Sequence, residues 1–445
     1  MPVSFPSSPT SGQVYEFSFN SWMYTGVFWR SINASGSVTS GNLGDNLIFS
    51  GNIPSGSIGA NHLASGVGGG AGLSLSSGTV TSGFIGDNAI TSGNIASGQI
   101  GQYQINDFSL GLLNNTRGGN FGYFAGGGTS ATSPTTRADK ITYSNDTSAA
   151  QTTANLSQAR YSLAGISEGL IKGYFAGGQS ASGAGNILAT ADKLTYSTNN
   201  TNAQTSANLS QARASLGGIS GERTKGYFAG GLNTSSNYTI TADKLVYSTD
   251  TTAAQTSANL SQFRRGLAGI SEGSQKGYFA GGDTGGAVAT AEKLTYSNDT
   301  TSAQTSSDLS QARRYPSGCS GDSTKGYFAG GYTGLGIAVS TTDKIIYSTD
   351  TTASQTSANL SQARIASAGI SEGLAKGYIA GGYTQPSVSV ATADKLTYSS
   401  DTTAAQTTAN LGQARDSLAG VSQEYTSVFG NNCVFSGNKI GRAHV

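Results

Sequence analysis

Histidine is scarce in this 445-residue chain, which contains only two. They are His62, in a polar position of a Gly/Ser-rich segment, and His444, close to the last residue. Histidine is the most frequent general base in enzymes and a usual ligand of zinc and copper. Its scarcity argues against catalysis and against such metal sites, so we predict no catalytic residue, no cofactor and no metal.

Cysteine is equally scarce. Cys319 and Cys433 lie far apart in unrelated sequence contexts, so we expect neither a disulfide framework nor a metal site. Cys319 occupies a place that isoleucine holds in sibling repeats, for example Ile219 and Ile270. We therefore expect it to be a small buried hydrophobic residue.

Charged residues are few as well. Asp, Glu, Lys and Arg make up 11% of the chain, the formal net charge is +1, and no block of Lys and Arg occurs. This composition argues against binding to nucleic acid or to an anionic membrane. The start lacks the basic and apolar segments of a secretion signal, and no window has the about 18 apolar residues of a membrane span. We expect a soluble chain without a signal peptide and without membrane insertion.

Glycine, in contrast, is abundant, with 64 residues, and much of it belongs to an internal repeat. The string GYFAGG or GYIAGG begins at Gly122, Gly173, Gly226, Gly277, Gly326 and Gly377. Each copy is followed by strings like DKLTYS, NLSQAR and SLAGIS. Repeats of about 50 residues that contain several short strands are typical of β-propellers.

Each repeat contains four predicted strands: SLAGIS, KGYFAGG, DKLTYS and AAQTSANL. The small residues of SLAGIS suit the strand closest to the axis, and Leu194 and Tyr196 share a sheet face that can pack between blades. The first GYFAGG lacks a preceding SLAGIS, whereas a surplus copy lies at 417–422. We predict an all-β, six-bladed propeller over 118–422 in which this last strand completes the first blade.

The repeat resembles that of the kelch family. The resemblance consists of a Gly-Gly pair after an apolar strand, a Tyr in the next strand, and a Leu and an Arg before the following inner strand. It covers 118–422 and implies a propeller scaffold, which a few relatives such as galactose oxidase use for catalysis. The metal ligands of galactose oxidase have no counterparts here. Glutamine stands where the family has a tryptophan, at Gln151, Gln204, Gln255, Gln304, Gln355 and Gln406.

Residues 34–115 follow a different pattern, in which apolar residues recur every five positions, as at Ile85, Ile90 and Ile95. A period of five fits neither an ordinary helix nor an ordinary strand. A monomeric β-solenoid or a slender stalk of three chains could use it. We favour the trimeric pentad-repeat stalk, because one chain has too little apolar side chain to bury by itself.

The two ends carry further resemblances. Residues 1–33 resemble a small β module at the start of bacteriophage tail-fibre proteins, with a Pro-Ser-Ser-Pro-Thr start and the pattern Trp22, Gly26, Trp29. SGNIASGQIG in the pentad segment also resembles tail-fibre shaft sequence. The tail, 423–445, ends in IGRAHV, which resembles a translated sequencing adapter.

Some residues recur once in every repeat, which indicates a structural role because a catalytic site breaks symmetry. We expect the carboxylates that open DKLTYS to accept hydrogen bonds from arginines of the same or a neighbouring blade. The Lys before each GYFAGG is interpreted as a solvated charge. The structural positions are represented by Asp192, Asp243, Arg213, Arg364, Gly177, Gly178, Gly230 and Gly231.

The segments between Gly-Gly and DKLTYS differ in length and sequence among the repeats, and all six should lie on one face of the propeller. Variable loops on a rigid scaffold often carry recognition residues. Aromatic rings can stack on sugars, and amides and carboxylates can bind their hydroxyl groups. The ligand-binding candidates are Tyr332, Tyr383, Tyr238, Asn237, Asp283 and Gln385.

These features together predict a non-enzymatic structural protein of a bacteriophage virion tail. Its N-terminus would contact other virion proteins, and its propeller would bind a host-surface receptor such as a glycan. A bacterial cell-surface adhesin and a glycan-active enzyme are the alternatives.

The stalk hypothesis predicts that the chain is a homotrimer. Light scattering of the purified protein should give three times the chain mass of 45.0 kDa. A monomeric mass would contradict the trimeric stalk and favour a solenoid.

Overall fold

The structure is a computed structural model that describes residues 4–17, 20–32, 119–129, 133–221, 223–385 and 388–423. The predicted pentad stalk, the C-terminal residues 424–445, His62 and Cys433 lie outside these residues. The chain divides into two units, Met1–Ile100 and Gly101–Val445, which we describe separately.

A three-stranded antiparallel sheet forms the described part of the first unit. Its strands are Val14–Phe17, Asn20–Tyr24 and Trp29–Ile32, in sequential order. Phe5 packs against Tyr15, Trp22 and Trp29, with ring centroids 5.1 to 5.6 Å from its own. Gly26, between the second and third strands, has φ +94°. The Trp22, Gly26, Trp29 pattern therefore supplies two rings of an aromatic cluster and a turn glycine.

The second unit contains six four-stranded antiparallel sheets arranged as the blades of a propeller, which confirms the predicted fold. Blades 1 to 6 are numbered by the chain order of their second strands. The inner strands are Ala419–Ser422, Ala164–Ser167, Gly217–Gly221, Ala268–Ser271, Ser317–Cys319 and Ala368–Ser371. The second strands are Phe121–Ala125, Lys172–Ala176, Lys225–Ala229, Lys276–Ala280, Lys325–Ala329 and Lys376–Ala380.

The remaining two strands of each blade lie farther from the axis. The third strands are Ala138–Thr142, Ala191–Thr195, Ala242–Val246, Ala291–Thr295, Thr342–Ile346 and Ala393–Thr397. The outer strands are Thr147–Ala150, Asn200–Ala203, Thr251–Ala254, Thr300–Ala303, Thr351–Ser354 and Thr402–Ala405.

Short elements connect the blades. A single 3-10 turn follows each outer strand, at Thr152–Ala154, Thr205–Ala207, Thr256–Ala258, Thr305–Ser307, Thr356–Ala358 and Thr407–Ala409. Another, Ala184–Asn186, lies in a loop of blade 2. Two-residue strands pair Arg213–Ala214 with Leu232–Asn233, Arg313–Arg314 with Tyr332–Thr333, and Tyr383–Thr384 with Val388–Ser389.

The ring closes as the surplus SLAGIS copy predicts. Ala419–Ser422 pairs antiparallel with Phe121–Ala125, so that Ala419 lies opposite Ala125 and Ser422 opposite Gly122. Blade 1 thus combines the end of the repeat region with its beginning. Closure gives the inner strand of every blade a sheet partner and neighbours on both sides.

Glycines allow the inner strands to approach one another at the axis. A Cβ atom on the central glycine of each inner strand would lie only 2.0 to 2.6 Å from the carbonyl oxygen of the equivalent glycine in the preceding blade. These glycines are Gly165, Gly218, Gly269, Gly318, Gly369 and Gly420. Steric crowding therefore explains the small residues of SLAGIS. Cys319 follows one of these glycines and is buried, as expected.

Stacked tyrosines fill the space between adjacent blades. Tyr174 of a second strand stacks on Tyr247 of the next blade, with centroids 5.8 Å apart. All six interfaces contain such a pair, within 16° of parallel, at Tyr123–Tyr196, Tyr174–Tyr247, Tyr227–Tyr296, Tyr278–Tyr347, Tyr327–Tyr398 and Tyr143–Tyr378. A side chain on Gly173 would meet the Tyr196 hydroxyl at 2.7 Å, which explains the Gly before each Tyr.

Buried arginine–carboxylate pairs link each blade to the connector that precedes it. The carbonyl of Arg213, after blade 2, accepts the Gly178 N–H, and its guanidinium donates to Asp243 of blade 3. Gly177 and Gly178 have φ +69° and +93°, a backbone that favours glycine. Removing one partner of such a pair typically costs about 3–5 kcal/mol. The six buried pairs are Arg160–Asp192, Arg213–Asp243, Arg264–Glu292, Arg313–Asp343, Arg364–Asp394 and Arg415–Asp139.

The lysines before GYFAGG are not solvated charges, so that expectation is wrong. Lys172 lies 2.7 Å from Asp250, in the turn between the third and outer strands of blade 3, and its side chain is 17% exposed. Asp250 also accepts hydrogen bonds from Lys193, at 2.6 Å, and from the Tyr174 hydroxyl. Five interfaces contain this lysine–aspartate cluster, centred on Asp146, Asp250, Asp299, Asp350 and Asp401.

At the interface between blades 1 and 2, two members of the cluster are replaced by other residues. Phe121 stands in place of the first lysine and Asn199 in place of the aspartate. Lys140, the lysine that remains, lies 3.4 Å from the centroid of Phe121 and 2.8 Å from Asn199 Oδ1. Two lysines with one aspartate carry a net charge of +1, and so does one lysine with asparagine. The paired replacement conserves the local charge.

The axial crowding predicts the effect of Gly269→Ala. The added Cβ would lie 2.1 Å from the Gly218 carbonyl oxygen, so a blade would have to move. We expect the free energy of unfolding in denaturant titrations to fall by at least about 2 kcal/mol. Gly286→Ala, at a site with no atom within 4 Å, is the control and should change it by less than about 0.5 kcal/mol. Equal effects would contradict the steric explanation.

The lysine–aspartate clusters predict loss of stability in acid. Burial alone would favour the neutral carboxyl, but hydrogen bonds from Lys172, Lys193 and Tyr174 lower the pKa of Asp250 to about 2 from 3.8. A lowered pKa in the folded state stabilises the fold above the unfolded value, and this contribution disappears as the pH falls from 3.8 towards 2. The Tm should therefore decrease steeply over this interval.

Two variants test this assignment. Asp250→Asn should lower stability at pH 7 by about 1.5–3 kcal/mol and make the Tm less dependent on pH in acid. Phe121→Lys combined with Asn199→Asp builds a sixth cluster and should raise the Tm at pH 7. An unchanged acid profile in the Asp250→Asn protein would contradict the role of the clusters.

Candidate functional site

The strand register places the variable loops and the connectors on the same face of the propeller. Ala164 at the start of an inner strand lies opposite Ala176 at the end of a second strand. The loops after the second strands therefore emerge beside the connectors that enter the inner strands. We call this side the loop face. The hairpins between inner and second strands lie on the opposite face.

A closed ring of backbone hydrogen bonds surrounds the axis at the loop face. One connector residue of each blade donates its N–H to the carbonyl of its counterpart in the preceding blade, at 2.6 to 3.2 Å. All six residues have φ between 55° and 61°. This axial ring consists of Ser162, Ser215, Gly266, Tyr315, Ala366 and Ser417.

An open cavity of about 460 Å³, which we call the bowl, lies over the axial ring. Its volume falls within the range of small-molecule sites, about 300–1,000 Å³. Ring residues contribute to it, together with residues immediately before the ring and immediately after the Gly-Gly pairs. Its larger side chains are Tyr161, Gln179, Leu232, Arg265, Tyr315, Tyr383 and Asp416. A cavity of about 90 Å³ at the ring and a channel of about 60 Å³ between the inner strands are smaller.

Tyr315 breaks the symmetry of the axial ring. Its counterparts are Ser, Gly or Ala, yet this tyrosine has the same positive φ, 56°. A bulky residue in this conformation is uncommon, and such strain is concentrated at functional sites. A Cβ on Gly266 would lie 2.7 Å from the Tyr315 ring, so the glycine makes room for it. The bowl thus contains an aromatic ring at a place where the scaffold does not require one.

Two arginines and a buried aspartate form one wall behind the bowl. Asp283, 1% exposed, accepts hydrogen bonds from Arg265 and Arg314, each at 3.3 Å, and from the Tyr238 hydroxyl at 3.2 Å. The Arg265 guanidinium lies over the Tyr238 ring and that of Arg314 over the Tyr332 ring, each 4.8 Å from the centroid. Burial favours the neutral acid, but the Gly285 N–H and the two arginines lower the pKa of Asp283.

Tyr383 and Asp416 lie near each other on another part of the bowl. Asp416 accepts hydrogen bonds from the hydroxyls of Ser389, at 2.7 Å, and Ser417, at 2.9 Å. Burial raises the pKa of Tyr383, and the nearby Tyr315 and Asp416 raise it further. This region offers a phenol and a carboxylate side by side.

The structure separates the six predicted binding residues into three groups. Tyr383 lines the bowl, whereas Tyr238, Tyr332 and Asp283 hold the arginines in place behind it. Gln385 is exposed and bridges two loops, because its amide donates to the Gly336 carbonyl and accepts the Ala338 N–H. Asn237 is exposed in a loop turn.

Sequence reasoning missed Arg265, Tyr315, Asp416, Tyr161 and Gln179. A signal for the first four was available in the two residues that follow the conserved arginine. These pairs read Tyr-Ser, Ala-Ser, Arg-Gly, Arg-Tyr, Ile-Ala and Asp-Ser in the six repeats. Their variation directly after an arginine that recurs in all six repeats marks the wall and floor of the bowl.

The described residues contain neither a candidate metal site nor a candidate membrane-spanning helix. Among the residues that the structure describes, no group of three or more His, Cys, Asp or Glu side chains could hold a metal ion. No helix in that part of the chain is long and apolar enough to cross a membrane.

Comparison with known proteins does not assign the chain to a family. No protein-family model matches it, and no curated protein shows significant similarity to it.

Proposed function

We propose that this chain is a non-enzymatic structural protein of a bacteriophage tail fibre, with kelch-like repeats, whose bowl binds a glycan receptor on the host surface. The observation that carries the proposal is the bowl itself. Six nearly identical blades surround it, but the residues that line it differ from blade to blade. A purely structural disc would not require this variation.

The chemistry of the lining favours a sugar. Tyr315 and Tyr383 offer aromatic surfaces, and Gln179, Asp416 and the ring serines offer partners for hydroxyl groups. Sites for small polar ligands typically combine apolar surface with a few placed polar groups. A pyranose, with apolar C–H faces and hydroxyls at its edge, fits such a lining.

The number of carboxylates in the bowl favours binding over glycoside hydrolysis. Most glycosidases need two carboxyl groups on either side of the scissile bond. Asp416 is the one carboxylate among the described residues that line the bowl, and it already accepts two serine hydroxyls.

The N-terminal resemblance and the pentad pattern support the virion part of the proposal. The aromatic sheet at the start would contact other virion proteins, the pentad segment would form the trimeric stalk, and the propeller would face the cell. This order is the basis for proposing a location in the virion tail over a cell-surface adhesin.

Adsorption to bacteria tests receptor binding. The labelled full chain should bind saturably to cells of some strains in a panel of Gram-negative and Gram-positive bacteria, and to glycans on an array. Tyr383→Ala should weaken this binding roughly tenfold, because it removes a stacking surface worth about 1.4 kcal/mol.

The control is Ile171→Ala, which shortens an exposed residue on the opposite face and should leave binding unchanged. Equal losses in both variants would place recognition elsewhere. Absence of saturable binding to every strain and glycan would contradict a receptor-binding function.

A further inference from the structure

We propose that the bowl selects a pyranose that carries a carboxylate, with Arg265 binding the carboxylate and Tyr315 contacting the sugar ring. This inference rests on the proposed glycan-binding function and specifies its ligand class. Uronic acids and nonulosonic acids are the sugars of this kind.

The wall behind the bowl has an uncompensated positive charge. Arg265 and Arg314 share one carboxylate, that of Asp283, so the three groups carry a net charge of +1. Tyr238 approaches Asp283 as a neutral hydrogen-bond donor. A monoanionic ligand would balance the surplus charge.

Arg265 is also positioned to bind a ligand. Its Nε atom donates to Asp283 and its plane lies over Tyr238, whereas its two terminal nitrogens have no hydrogen-bond partner among the residues that the structure describes. Burial lowers the pKa of Arg265, but Tyr315, Tyr238 and Asp283 together raise it above the ordinary value. The guanidinium therefore stays charged. Because it is held in place, it loses little conformational entropy on binding, and its fork geometry matches a carboxylate.

The opposite side of the bowl is acidic. Arg265 precedes Gly266 and Asp416 precedes Ser417, and these two ring residues are three steps apart in either direction around the six-membered ring. Arg265 and Asp416 thus stand on opposite sides of the axis, with Tyr315 between them in the ring order. A carboxylate oxygen pair has capacity for more hydrogen bonds than the two from Ser389 and Ser417.

This polarity matches a sugar acid better than a neutral sugar or a sugar phosphate. A pyranose with one carboxylate presents an anion at one edge and hydroxyl donors at the other. A neutral hexose would leave the terminal nitrogens of Arg265 without an anionic partner. A phosphate monoester carries about −1.5 to −2 at pH 7, which exceeds the surplus of +1.

Calorimetric titration of the full chain tests the inference. The probes are oligosaccharides that contain glucuronate or N-acetylneuraminate, the same compounds with the carboxyl group reduced to an alcohol, and glucose 6-phosphate. At least one carboxylated probe should bind, and its reduced counterpart should bind at least tenfold more weakly. Arg265→Gln should abolish this preference, and Tyr315→Ser should weaken binding of both forms.

Two further variants separate recognition from folding. Arg265→Lys keeps the positive charge but loses the bidentate hydrogen-bonding geometry of the guanidinium, so it should retain part of the preference for the carboxylate. Arg223→Gln removes an arginine from a hairpin on the opposite face and should bind like the parent protein. The Tm of each variant shows whether the propeller remains folded.

Several outcomes would overturn the inference: no binding of any carboxylated probe, equal binding of acidic and reduced probes, tighter binding of the phosphate, or an unchanged preference in a folded Arg265→Gln protein. If the chain still adsorbs to bacteria through Tyr383, the receptor-binding proposal stands without this ligand class. If acidic sugars bind but no cell does, the ligand class stands and the receptor proposal fails.

Discussion

Close packing of backbone at the propeller axis is the constraint on which the rest of the structure depends. Six inner strands approach so closely that a Cβ atom on Gly269 or Gly369 would overlap a carbonyl of the preceding blade. The glycine positions of the inner strands can therefore carry no side chain, and these strands contribute to the core through neighbouring residues such as Ile166, Ile219 and Ile270. The other contacts between blades lie farther out, in the wider spaces where the blades diverge. The stacked tyrosines, the buried arginine–carboxylate pairs and the lysine–aspartate clusters all occupy those spaces.

These outer contacts have in common that each joins two blades. The glutamine that recurs before each 3-10 turn takes part too: Gln204 donates to the Ser206 hydroxyl, which donates to the Asp250 carbonyl of the next blade. Each type of contact recurs at five or six of the interfaces, so the stability of the ring is distributed over all of them. At the interface between blades 1 and 2, Phe121 and Asn199 preserve the geometry and charge with different chemistry.

The fold was largely predictable from the sequence, whereas the site was only partly so. Repeat spacing, the four strands and the closing strand follow from patterns that recur within the chain. The role of the lysines was not predictable, because Lys172 meets Asp250 only when a strand of one blade comes next to a turn of the following blade. Candidate binding residues were predicted in the variable loops, but Gln385 and Asn237 in those loops lie outside the bowl.

The residues that do line the bowl come largely from connectors, and their positions depend on how six connectors meet at one axis. A short pair such as Arg-Tyr at 314–315 has no visible periodicity of its own. Its importance becomes evident only when the six equivalent pairs are compared as neighbours in space. The repetition of the blades makes the fold predictable from the sequence. The few positions that differ between repeats are easily overlooked for the same reason.

The axial ring determines which substitutions around the bowl are compatible with the fold during evolution. Its hydrogen bonds are made by the N–H and carbonyl groups of all six residues, from Ser162 to Ser417, so no side chain is needed to form them, and the positive φ favours small residues there. The second residue of the six dipeptides that follow the recurring arginines is accordingly Ser, Gly, Ala or Tyr, and the one large residue, Tyr315, lies next to Gly266, which leaves room for its ring. Substitution at these positions would change the side chains that line the bowl while the backbone hydrogen bonds of the ring and the packing of the blades stay the same.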